Sequence, residues 1–208
     1  MCRQPDRHDN EAALSRPRLP RWHSRGCLPH FEGGSIPQFV TFRLADSLPK
    51  QKLLEWDEEL RHWPTERRDA ERRRRIEDYL DRGAGESLLR DARVARLVEG
   101  ALLYFDGQRY RVHAWVVMPN HVHVLFTPLE GWALSRIVGS WKSFTAKQAC
   151  RLLNRRGSFW QEDYFDRFIR NGQHFAKAKN YIELNPVVAG LCAAQEDWEF
   201  GSARRFGE

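Results

Sequence analysis

Two runs rich in β-branched and aromatic residues, Tyr110–Met118 and His121–Thr127, flank Pro119-Asn120 in the stretch YRVHAWVVMPNHVHVLFTP. Val, Phe, Tyr and Trp favour strands and Pro-Asn favours a tight turn, so the pattern predicts a β-hairpin. Strand side chains alternate between faces, which places His121 and His123 on one face and Val122 and Val124 on the other. The apolar run Val124-Leu125-Phe126 marks that arm as a central strand. Upstream, Ser35–Leu44 alternates as the first strand, and Leu48–Leu60 and Thr65–Leu80 read as charge-dense helices broken near Pro64. From Ser87, taken as the cap, Leu88, Leu89, Val94, Leu97, Val98, Leu102 and Leu103 recur at helical spacing. Leu134–Leu153 is a second amphipathic helix, with Ile137, Val138, Trp141, Phe144 and Thr145 as its apolar stripe. Ser158–Arg170 holds the last strand and its approach. Gln173–Asn185 is the last helix, ended by Pro186, and Trp198 and Phe200 are expected to dock the tail on the body. This order predicts an α+β domain with a mainly antiparallel sheet and helices on one face.

Length and charge narrow the picture. The 208 residues suit one domain with additions: a basic mobile arm over 1–34, a single domain over 35–200 with a charged helical insertion at about 48–85, and a tail over 201–208. Arginines 16, 18, 21 and 25 of the arm can reach phosphates, or the arm is an ordinary terminus. The net charge of +6 and pI near 9.4 favour an acidic partner. Between Glu130 and Tyr181 stand ten basic and four acidic residues, a surplus as large as that of the whole chain. Arg72 to Arg75 sit in a stretch where acids balance bases, as on a solvated helix face. Cys2, Cys27, Cys150 and Cys192 are scattered, which excludes a zinc ribbon and a disulfide framework. With no signal-peptide core and no membrane-length run, a cytoplasmic location without membrane contact is expected.

Chemistry concentrates on a few positions. Two imidazoles one pleat apart can share a metal ion, and if buried they need polar partners in any case. His113, alone on its strand, reads as a satisfied sheet histidine. Aromatics interleaved with arginine over Ser158–Arg170 can stack on unpaired bases or can be core. Tyr181 and Asn185, four apart, share one helix face, and Tyr164 is a rival to Tyr181 as a nucleophile.

Three stretches, AWVVMPNHVHVLF (114–126), WQEDYFDRFIR (160–170) and YIELNPVVAGL (181–191), together with VTFRLADSLP (40–49), resemble the REP-associated tyrosine transposases. These are a branch of the single-tyrosine HUH endonucleases, related to insertion-sequence transposases. The resemblance implies a ferredoxin-like core with His121 and His123 as the HUH pair, Tyr181 as nucleophile and Asn185 completing a metal site. Mg²⁺ or Mn²⁺ suits such neutral N and O ligands. It implies cleavage and strand transfer of single-stranded DNA beside hairpins of palindromic extragenic repeats, through a 5′-phosphotyrosine link. The tyrosine would act within its own subunit or across a homodimer. Lys142, Trp160, Arg167 and Arg170 are the residues expected to hold DNA. The alternative is a domesticated hairpin-DNA-binding protein that no longer cuts.

Overall fold

The computed structural model describes residues 21–24, 29–32, 34–83 and 85–206, with side chains for 34–83 and 85–204. Strands β1 (Arg21–Ser24) and β2 (Pro29–Glu32) pair as an antiparallel hairpin with Trp22 opposite Phe31. No regular element was expected there, because four-residue strands are too short to display a two-residue period. Arginines 16, 18 and 25, and the side chain of Arg21, lie outside the described residues.

The main sheet holds β3 (Gln38–Arg43), β4 (Tyr110–Val117), β5 (His121–Pro128) and β6 (Phe165–Phe168) in the order β4-β5-β3-β6, every neighbour antiparallel. Between β3 and β4 run α1 (Lys50–Glu59), α2 (Thr65–Asp81) and α3 (Ala92–Leu103). Helix α4 (Leu134–Leu152) joins β5 to β6. Taking α3 and α4 as the crossovers gives strand–helix–strand–strand–helix–strand, the ferredoxin-like arrangement. Helix α5 (Gly172–Val188) follows β6, and a short α6 (Ser202–Phe206) ends the fold.

Helices cover both faces of the sheet, not one. Val40, Phe42, Trp115, Val122, Val124 and Phe126 pack against Val94, Val98, Ile137 and Trp141 of α3 and α4. Phe39, Ala114, Val116, Met118 and Leu125 point the other way, onto Ile182 and Phe175 of α5. Residue for residue β5 is buried except at Thr127, as befits a strand covered on both sides. Helix α5 buries only Ile182, Asn185 and Pro186, so its sequence displays no stripe to announce the second layer.

Three local expectations change. Asp91, not Ser87, caps α3, its carboxylate accepting from the Arg93 N–H at 2.9 Å; Ser87 has a left-handed φ of 51° and donates to the Gly83 carbonyl. Phe144 is half exposed, and Leu134 and Ala149 complete the buried stripe of α4. Pro186 does not end α5, which continues to Val188. One missing N–H in a last turn is tolerated, and the Pro186 carbonyl still accepts from Leu191 N. Asn185 therefore stays helical and one turn from Tyr181. The tail docks as expected: Trp198 Nε1 donates to the Val117 carbonyl and Val117 N to that of Phe200, covering an edge of β4.

Candidate active site

On β5, His121 and His123 are both about 1% exposed, and their Nε2 atoms face each other at 3.0 Å. Each Nδ1 is held from behind. Asn120 Oδ1 lies 2.7 Å from Nδ1 of His121, and Thr41 Oγ1 lies 2.7 Å from that of His123, across the β3–β5 pairing that sets Thr41 opposite His123. The Asn120 amide is oriented independently, since its Nδ2 donates to the Leu80 carbonyl at 3.0 Å. Its oxygen must therefore accept from Nδ1–H of His121, which leaves a lone pair on that Nε2. The Thr41 hydroxyl can donate or accept. His123 can thus offer its own lone pair, or lend an N–H to His121. Burial holds both rings neutral, pushing His123 down to about 3 and His121 well below the usual range, the latter helped by His123 and Arg43.

Helix α5 brings Tyr181 over this pair, its ring centroid 5.3 Å from that of His123 and 5.9 Å from that of Phe39. Three oxygens here, Tyr181 Oη, Asn185 Oδ1 and Asp81 Oδ1, are buried without a well-formed hydrogen bond, and the Asn185 side chain lies near both the phenol and the Asp81 carboxyl. Burial pushes the phenol far above its ordinary value, and the carboxylates of Glu77 and Asp81 add to the rise; the Asn185 amide opposes it more weakly. Asp81, at the end of α2, has Oδ1 3.7 Å from His121 Nε2 and is raised to about 6, by burial first and Asp78 second. Glu77, one turn earlier, is raised to about 7, mainly by burial and then by Asp81.

These two acids and Arg43 are the residues sequence reading missed. Arg43 pairs in register with His121, and burial lowers it to about 10, still cationic at neutral pH. A two-residue period does place Phe39, Thr41 and Arg43 on one face, which was the available signal. Asp81 and Glu77 lie in the charged insertion about forty residues upstream of the histidines, and nothing in local spacing connects them.

A cleft of about 640 Å³ leads to Tyr181 between α2, β6 and α5, lined by Arg73, Glu77, Phe165, Arg167, Arg170, His174 and Lys177 among others. Arg167 and Arg170 thus stand with the site. Lys142 and Trp160 do not. They line a different cleft of about 570 Å³ that shares no lining residue with the first. Trp160 is buried core, its Nε1 donating to Thr145 Oγ1 at 2.9 Å, because its ring packs against Phe42 and Phe159; it cannot stack on a base. The Lys142 ammonium donates to the carbonyls of Glu162 and Asp163. Tyr164, the rival nucleophile, lines the Lys142 cleft and packs on the main core. His113, beside the β-bulge of β4, has Nε2 2.8 Å from Thr127 Oγ1.

Among the described residues no three His, Cys, Asp or Glu side chains are arranged outright to hold a metal. A divalent cation nevertheless fits. Two inward Nε2 atoms 3.0 Å apart match donors at about 2.1 Å from one ion at right angles, and the Asn185 oxygen stands unpaired beside them.

Three comparisons relate the chain to known proteins. The family described as "Transposase IS200 like" matches residues 88–185. The chain is similar to the REP-associated tyrosine transposase of Escherichia coli K12, 35% identical over 98 residues, which cover 46% of this chain and 56% of that protein, so the chain spans little more than half its relative's length. Its fold is like that of a REP-associated tyrosine transposase solved bound to a REP hairpin, with a TM-score of 0.55 and 19% identity over 86% of this chain and 84% of that one. The stretch over 88–185, which carries β4, β5, the histidine pair and the Tyr181–Asn185 helix face, is thus similar to the IS200-like transposases, and within it the chain resembles the REP-associated branch.

Proposed function

We propose that the protein cuts and rejoins single-stranded DNA beside a hairpin, with Tyr181 as nucleophile and a 5′-phosphotyrosine as the covalent intermediate. The observation that carries this reading is Tyr181 over the inward-facing imidazole pair of its own chain, at the end of a basic cleft. This reading has the tyrosine act within its own subunit. His121, His123 and Asn185 would hold the cation, Mg²⁺ or Mn²⁺. Bound there, it supplies Lewis-acid stabilisation of charge on the scissile phosphate.

The protein's own residues do the rest. Arg167, Arg170 and Lys177 line the cleft with Arg73, giving a single strand a cationic track to the phenol. Tyr181 Oη attacks phosphorus, the new O–P bond forms and the bond to the 3′ oxygen breaks. That oxygen leaves with the electron pair, gains a proton and becomes the free 3′-OH. The phenol must shed its own proton, and Glu77 in the same cleft, poised near neutral pH, is the acceptor. Arg43, half-buried opposite His121, offsets the phosphate's charge.

No helix among the described residues is long and apolar enough to cross a membrane, and the work assigned here is on DNA in the cytoplasm. Hairpin-bearing labelled single-stranded DNA with Mn²⁺, resolved on denaturing gels, tests the reading. A covalent adduct formed by the wild type and absent from Tyr181→Phe is expected. Binding with no adduct would instead mean a protein that only recognises hairpins. Cleavage that survives Tyr181→Phe would point to hydrolysis by metal and carboxylates.

A further inference from the structure

We propose that Asp81, delivered by the charged insertion, is a direct donor to the cation, making α2 part of the active site. This rests on the metal-dependent reading above and extends it.

Asp81 Oδ1 is buried, has no hydrogen-bond partner, and lies 3.7 Å from His121 Nε2. Donors at about 2.1 Å from a common ion stand about 3.0 to 4.2 Å apart as the angle between them opens from square to linear. The observed separation falls inside that span. The Asn185 side chain engages the Asp81 carboxyl but leaves Oδ1 buried without a bond; such an oxygen is costly, and a cation between it and the imidazoles removes that cost.

The backbone ahead of Asp81 is held as a ligand's would be. Asn120 grips both sides of the site at once, its oxygen fixing His121 and its Nδ2 bonding the carbonyl of Leu80, the residue before Asp81. Leu80 is buried, and beyond it Gly83 O accepts from Ser87 while Glu86 N donates to Asp46 Oδ2. Gly85 completes the clamp: its φ is +88°, and a Cβ there would meet Asp46 and Ser47 at 3.0–3.1 Å. On the outer face, Arg72 and Arg75 tie α2 to Asp57 and Glu59 of α1. A helix that served only as a solvated surface would need none of these inward fastenings.

One carboxylate also changes the site's chemistry. Two imidazoles and an amide are all neutral, whereas an aspartate halves the charge of a dication and adds the hard oxygen that Mn²⁺ and Mg²⁺ prefer.

Mn²⁺ binding to the full chain without DNA, read by loss of the free-ion EPR signal, tests this. Asp81→Asn keeps the shape and is expected to weaken binding at least tenfold. Asp78→Asn, which removes a charge of the same sign from the exposed side of α2, is expected to leave it within threefold. Equal affinity of Asp81→Asn and wild type would overturn the inference and leave the metal reading standing. Equal losses in both variants would overturn it too, by showing a long-range charge effect. A wild type that binds no Mn²⁺ would sink both readings. A measurement on the wild-type fold guards against misfolding of the variant: aspartate labelled with ¹³C at the carboxylate should give a ¹³C coupling to bound Mn²⁺ in ENDOR. No coupling would refute direct ligation.

Discussion

The two faces of the sheet carry the same strands and do opposite things. Toward α3 and α4, β3 and β5 present Val40, Phe42, Val122, Val124 and Phe126, and the indole N–H groups there are matched, Trp141 Nε1 donating to Tyr110 Oη and Trp160 Nε1 to Thr145 Oγ1, each at 2.9 Å. Toward α5, the same strands present Thr41, Arg43, His121 and His123, and the helix adds a phenol and an amide whose oxygens have no partners. The first face leaves one buried side-chain oxygen of β3, Gln38 Oε1, unmet, whereas the second leaves the reactive phenol and amide of α5 unmet above the imidazoles. The physical lesson is that the α3–α4 layer holds the fold tightly enough for the α5 layer to keep unmet polar groups in place for chemistry.

Disturbing each face should therefore give opposite results. The largest stability effect is expected from Trp141→Ala, which removes a ring packed on Tyr110 and Phe126. A loss of about 3–5 kcal/mol in urea unfolding is expected, with metal binding intact in the molecules that remain folded. If that variant lost Mn²⁺ affinity at full folding, the division of labour would fail.

Glu77→Gln comes next, and its effect depends on pH. Glu77 rises from 4.5 to about 7 in the folded protein, under burial and the nearby charges of Asp81 and Asp78, which outweigh the opposing pull of Arg73 and Arg167. A raised folded value means the native state binds the extra proton between pH 4.5 and 7, so the wild type loses stability as pH rises through that window. The metal-free Gln variant should match the wild type near pH 4 and exceed it by about 2–3 kcal/mol at pH 8, with partial exposure allowed for. The variant should also lose the neutral-pH limb of the cleavage profile. A constant difference at all pH values would contradict the burial of that carboxylate.

Smaller still is Trp160→Phe, which removes the bond to Thr145 on the α4 side. A cost of about 1–2 kcal/mol is expected, with unchanged affinity for single-stranded DNA in filter binding; a clear drop in affinity would restore the stacking role that burial denies it. The smallest shift belongs to Tyr181→Phe, whose hydroxyl has no well-formed hydrogen bond to lose and only the weak pull of the Asn185 amide. Its thermal midpoint should stay within about 2 °C of the wild type or rise, even as the covalent adduct disappears.

Much of this was legible in one dimension because the relevant periods are short. Alternation over two residues put both histidines on one face, a four-residue step put Asn185 over Tyr181, and the Pro-Asn pair marked the turn between β4 and β5. Helix boundaries were read well where an apolar stripe recurred between clear ends, as in α4. They failed at Ser87 and Pro186, where a single residue's usual preference yielded to tertiary contacts. Trp160 was misplaced for a related reason: an aromatic flanked by charge has the same local pattern whether it stacks on a ligand or packs on Phe42.

By itself the sequence determined the hairpin, the paired imidazoles, the tyrosine–amide helix face and the excess of positive charge, because each depends on spacing within one element. Only the tertiary structure decided that α5 closes the second face of the sheet, and that Asp81 and Arg43 reach the histidines and Glu77 the tyrosine while Lys142 and Trp160 stay away. Those outcomes depend on how separate elements dock, through contacts such as the Asn120 amide gripping both His121 and Leu80, and no period along the chain encodes a bond between residues forty positions apart.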